Sequence, residues 1–86
     1  MLRLAAKRRR ELEPLRQAAR GAEEKITRLT AEREALDRVL AQPPGPRDDG
    51  SALTAALKRR AEVMRLLERA EIEWLTAEES LEGEAR

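Results

Sequence analysis

Residues 36–57 read LDRVLAQPPGPRDDGSALTAAL, two helix-forming flanks around a centre that a helix cannot cross. Pro43, Pro44 and Pro46 lack the backbone donor, and each pushes its predecessor out of the helical region. Beyond them, Ser51 or the preceding Asp49 offers a side-chain oxygen that can cap a new helix. The stretch therefore predicts a turn over residues 42–51 with one helix on each side.

The upstream flank has a repeat in alternating steps of three and four, apolar at eight of its nine positions: Leu12, Leu15, Ala19, Ala22, Ile26, Leu29, Arg33, Leu36 and Leu40. The downstream flank reads Leu53, Leu57, Arg60, Met64, Leu67, Glu71, Trp74, Glu78 and Leu81 in the same alternation. A mean step of about 3.5 residues is the coiled-coil period. Folded back on each other, the two seams form layers in which the residue numbers always add to 93. Leu36 meets Leu57, Leu29 meets Met64, Ile26 meets Leu67, and Ala19 makes room for Trp74. The expected core is Ile26, Leu29, Leu36, Leu57, Met64, Leu67 and Trp74. The expected fold is all-α, a two-helix antiparallel coiled-coil hairpin over residues 14–82, with 83–86 frayed. Pro14 is tolerated as a first helical residue but kinks a helix interior. Residues 1–13 are accordingly expected as a basic entry segment, a short helix that breaks at Pro14.

Three layers spoil the pattern: Arg33 faces Arg60, Ala22 faces Glu71, and Leu15 faces Glu78. Ala70 and Ala77 are placed to take over from the two glutamates by a local rotation of the second helix. The arginines are expected to reach out to carboxylates such as Glu32 or Glu62, or to stay open to water.

Composition narrows the function classes. Charged and hydrophobic residues each make up 41% of the 86 residues, and Trp74 is the only aromatic, which fits a long helix rather than a sheet. There is no cysteine or histidine, so thiolate chemistry, disulfides and the commonest zinc ligands are excluded. That composition suits a cytoplasmic setting, and no apolar run approaches the roughly 20 residues of a membrane span. The basic start MLRLAAKRRR is followed at once by Glu11 and Glu13, unlike an acid-poor targeting peptide. The segment PPGPRDDGS has no lysine to cradle a phosphate. Its Asp48–Asp49 pair lacks the alternating ligands of a calcium loop and suits turn or cap chemistry. Adjacent carboxylates such as Glu23–Glu24 point in different directions on a helix, so acid–base catalysis is not encoded. The chain is expected to be non-enzymatic, with no cofactor or metal of its own.

Charge is the remaining signal. A net charge of +1 conceals +5 over residues 1–20, +3 over 51–70 and −5 over 71–86. An antiparallel hairpin lays the first basic segment beside the acidic one. Two candidate phosphate-binding patches stand out: Lys7, Arg8, Arg9 and Arg10 at the start, and Lys58 and Arg59 with Arg38 toward the turn. With no interleaved aromatics there is no stacking platform, so backbone binding without sequence readout is the form of recognition available. The competing reading is a protein-interaction or dimerising coiled coil whose charges only solvate it, with Ile72 and Leu75 off the seam as a sticky strip.

The residues that carry these features resemble a known family. Lys7-Arg8-Arg9-Arg10-Glu11-Leu12-Glu13, the turn entry Leu40-Ala41-Gln42-Pro43 and the closing Ala70, Trp74 and Glu78 are similar to the C-terminal coiled-coil domain of ABC-F ATPases of the Uup type. A slighter likeness is to the C-terminal arm of valyl-tRNA synthetases. The first resemblance implies a hairpin appended to two ATP-binding cassettes, with ATP handled in those other domains. It also implies contact with DNA or ribosomal RNA through basic side chains. The chain is expected to be a monomer or weak homodimer without a membrane partner.

Overall fold

A computed structural model describes residues 2–47 and 49–85, leaving Met1, Arg86 and the Asp48 half of the aspartate pair outside the described residues. It is a helical hairpin of α1 (Leu2–Ala41) and α2 (Ser51–Ala85), drawn out to 72 × 15 × 14 Å.

The turn is built from the residues that forbade a helix. At its entry the Gln42 N–H closes on the Val39 carbonyl at 3.2 Å before the prolines begin. At its exit Gly50 adopts a φ of 85°, the left-handed region open to a residue without Cβ. The Gly50 carbonyl accepts both the N–H and the hydroxyl of Thr54, each at 3.0 Å. Asp49 does the capping: its Oδ1 accepts the Ser51 N–H at 3.0 Å, satisfying one of the donors a helix start leaves open. Bonds from the Ser51 backbone and side chain hold the Asp49 carboxyl below its usual range.

The first helix departs from expectation at Pro14, which lies inside α1 without ending it. The side chains on either side are good helix formers, and Leu12 and Leu15 both turn partly inward. Pro14 itself is exposed, so its ring points away from α2 and water can replace the donor it lacks. Residues 1–13 are thus no separate segment but the first turns of α1 as far as they are described. The expected fraying from residue 83 is also not seen over the described residues, since α2 runs on to Ala85; Arg86 lies outside them.

The core follows the hairpin reading on α1 and corrects it on α2. Leu29, Val63 and Leu67 form the buried cluster, with Ile26, Leu36 and Leu66 packed against it. Ala19 and Ala22 are buried on α1, and Ala56, Ala70 and Ala77 on α2. The α2 seam is therefore Ala56, Arg60, Val63, Leu67, Ala70, Trp74 and Ala77, the neighbour of each expected residue at every second position. Val63 is 0% exposed, whereas Met64 and Leu57, both expected in the core, are 39% and 52% exposed. The rotation foreseen only around the glutamates runs the length of the helix. Keeping the expected seam would bury Glu71 and Glu78 against Ala22 and Leu15, at several kcal/mol per ion. Leaving Leu57 and Met64 half-exposed forgoes only about 1–2 kcal/mol each.

The register holds to within a turn. The cross-helix pairs Arg59–Glu32, Arg8–Glu84, Trp74–Glu23, Arg60–Asp37 and Lys25–Glu73 straddle the expected alignment, with a mean offset of about two residues against 3.6 per turn. Trp74 accordingly lies beside Glu23, Ile26 and Thr27, about one turn along from the Ala19 it was expected to face.

The corrected seam has a direct test by chemical denaturation in dilute protein. Val63→Ala should lower stability by about 2 kcal/mol, and Met64→Ala by less than about 1 kcal/mol. The reverse ranking would restore the seam through Met64.

Candidate nucleic-acid interface

The first turns of α1 carry Arg3, Lys7, Arg8, Arg9 and Arg10, all exposed. Helical spacing puts Arg3, Lys7 and Arg10 on one face and Arg9 with Arg16 on another, so the cations ring the helix. Arg8 differs from its neighbours. Its Nη2 donates to the Glu84 carbonyl at 2.9 Å, in the last turn of α2, where helix carbonyls lack intrahelical donors. A cation there also complements the negative end of the α2 dipole. Arg8 thus ties the two helices together, a role that a run of four like cations conceals in the sequence. Lys7, Arg9 and Arg10 make no hydrogen bond or ion pair among the described residues. Arg20, further along, is already engaged by Glu13 at 3.1 Å, which Gln17 supports at 3.0 Å.

The second candidate patch is largely taken apart by the fold. The Arg59 Nε and Nη2 grip both oxygens of Glu32 across the hairpin, the latter at 2.8 Å, while Nη1 lies 3.5 Å from Glu62. This two-point grip, with its hydrogen bonds foremost, pushes the Glu32 carboxyl below its ordinary value and raises Arg59. Arg59 was expected on an open face, but its position flanks the seam and puts it within reach of α1. Arg60 lies in the seam and reaches out to Asp37 at 2.6 Å, not to Glu32 or Glu62. Arg38, Arg47 and Lys58 remain exposed at the turn end with no partner among the described residues. Lys7 and Arg38 are 31 residues apart on one helix, roughly 45 Å at 1.5 Å per residue, so the two patches are separate surfaces.

Trp74 is half-buried, and its indole N–H donates to Glu23 Oε1 at 3.0 Å. Its setting is acidic, with Glu23, Glu71, Glu73 and Glu78 nearby in sequence or space, so it does not form a stacking surface among cations. A shallow groove between the helices is floored by Leu15, Ala18, Ala22 and Ala77, with Lys25 paired to Glu73 at its lip at 3.1 Å. Among the described residues no cluster of carboxylates has metal-ligand geometry. No described helix is long and apolar enough to cross a membrane.

Fold and surface together make an antiparallel coiled-coil hairpin with unpartnered cations at both the open end and the turn end among the described residues. No family model matches the chain, and the curated proteins and solved structures give no match either.

Two measurements follow from the ties between helices. The folded-state pKa of Glu32 lies below its ordinary value of 4.5, so its contribution to stability is present above that value and is lost as pH falls through the depressed one. Glu32→Gln should lower the melting temperature near pH 7, and the gap to the parent protein should close by about pH 2; a constant gap would show that the grip does not titrate. Trp74→Ala should destabilise by about 2 kcal/mol, the low end for an aromatic because the ring is only half-buried. Nucleic-acid binding should persist in that variant, and an unchanged melting curve with abolished binding would make Trp74 a contact residue instead.

Proposed function

We propose that this hairpin is a nucleic-acid-contacting appendage of an ABC-F ATPase, binding DNA or ribosomal RNA through the phosphate backbone without reading sequence. One observation carries the reading: Lys7, Arg9 and Arg10 are exposed on the leading turns of α1 with no acidic partner among the described residues, so their charge is available to an outside polyanion. Arg8 contributes by holding those turns against α2, and Arg38 with Lys58 offers a smaller, separate contact at the turn. Arg59 is removed from the binding set because Glu32 and Glu62 neutralise it. Nothing in these residues hydrolyses ATP, so the reading places that activity in cassette domains of a parent chain, and a cytoplasmic location goes with it. Specificity for one base sequence is not part of the proposal, as a ring of arginines and lysines on a helix recognises charge and shape.

Binding to a generic DNA duplex and to an RNA duplex of equal length, titrated with salt, tests this. Affinity should fall steeply with salt. Lys7→Glu combined with Arg9→Glu and Arg10→Glu should flatten the slope by about 0.9 for each phosphate no longer neutralised, while leaving helicity intact. Absence of binding at low salt would remove the nucleic-acid reading and leave an interaction coiled coil.

A further inference from the structure

The rotation of α2 that buries Val63 brings a second periodic stripe to the surface. Thr54, Leu57, Ala61, Met64, Glu68, Glu71, Leu75 and Glu78 follow one another in steps of three and four, the spacing of a coiled-coil seam. Leu57, Met64 and Leu75 are 52%, 39% and 51% exposed, so most of the large apolar surface on α2 lies along this line.

We propose that this stripe is a homodimer seam, on which α2 of a second copy packs antiparallel about a two-fold axis near residue 66. The chemistry of the stripe selects that occupant. Its first half is neutral (Thr54, Leu57, Ala61, Met64) and its second half is acidic apart from Leu75 (Glu68, Glu71, Glu78). A parallel copy would set Glu68 on Glu68 and Glu71 on Glu71, which like charges oppose. The antiparallel alignment pairs Leu57 with the second copy's Leu75, Ala61 with Glu71, Met64 with Glu68, and Thr54 with Glu78. Leucine then meets leucine, no carboxylate meets another, and each carboxylate is satisfied only by a cation flanking the stripe.

The flanking cations complete the match. Lys58 lies three residues before Ala61 and Arg65 four after it, so on a helix both border the point where the second copy's Glu71 arrives. Arg65 also adjoins the site of Glu68, and Lys58 that of Glu78. Lys58, Arg65, Glu71 and Glu78 make no hydrogen bond or ion pair among the described residues, so all four charges are available to a second copy. The two-fold axis makes each set of contacts occur twice, as a self-complementary interface requires. The proposal does not involve Lys7, Arg9 or Arg10; it shares only Lys58 with the smaller contact at the turn, and it holds whether or not nucleic acid binds.

Sedimentation equilibrium of the full chain without nucleic acid tests it. The parent protein should associate to dimers at low salt and dissociate as salt rises. Lys58→Glu with Arg65→Glu, and separately Glu71→Lys with Glu78→Lys, should each raise the dimer Kd by at least about tenfold. An equimolar mixture of the two double variants should recover dimer, because both symmetry-related contact sets are then complementary. Helicity by circular dichroism confirms that each variant folds; should one not, Leu57→Ser, at an exposed position, replaces it and should weaken the dimer alone. A parent protein that stays monomeric at low salt, or variants that associate singly as well as mixed, would overturn the proposal.

Discussion

A carboxylate with no cation beside it cannot be left buried between two helices, and the packing of this hairpin follows from that constraint. A pair of helices has only one buried line, and nothing in it could pair with Glu71 or Glu78 beside Ala22 and Leu15. The helix turns until Ala70 and Ala77 face inward. A regular helix cannot turn in one place only, so Met64 gives way to Val63 and Leu57 to Ala56 as well. The core becomes smaller in volume and more complete in burial, with a fully enclosed Val63 between Leu29 and Leu67.

The same turn of the helix redistributes the arginines. Arg59 comes to the flank of the seam, where Glu32 can take it with two hydrogen bonds, and Arg60 reaches Asp37 on the other side. These pairs are half-exposed and add little stability individually. They neutralise two cations in the turn-side part of α2, while Lys7, Arg9 and Arg10 on the leading turns of α1 keep their charge among the described residues. The proposed phosphate contact depends on that division between paired and unpaired charge rather than on the number of basic residues.

At the open end the antiparallel arrangement brings unlike charges together, but among the described residues of its first turns only Arg8 uses the proximity, and it does so through the Glu84 carbonyl rather than a carboxylate. Lys7, Arg9 and Arg10 face other directions around α1. A helix distributes adjacent residues about 100° apart, so a run of four cations serves structure with one side chain and surface with the other three.

The hairpin is written in local sequence. Pro43, Pro44 and Pro46 stop one helix, Asp49 and Gly50 start the next, and the three–four alternation fixes both helices and their register to within a turn. These are local properties of backbone and spacing, legible without knowing what lies across the seam. Packing between the helices settles which of two adjacent residues in α2 points inward, that α1 carries Pro14 without breaking, and which cations are neutralised. Two faces of α2 had the coiled-coil period, Leu57–Met64 on one and Ala56–Val63 on the other, and period cannot rank them. Only the opposing helix sets the energy of burying Glu71 and Glu78, and only its carboxylates select Arg59 and Arg60 from among eighteen basic residues.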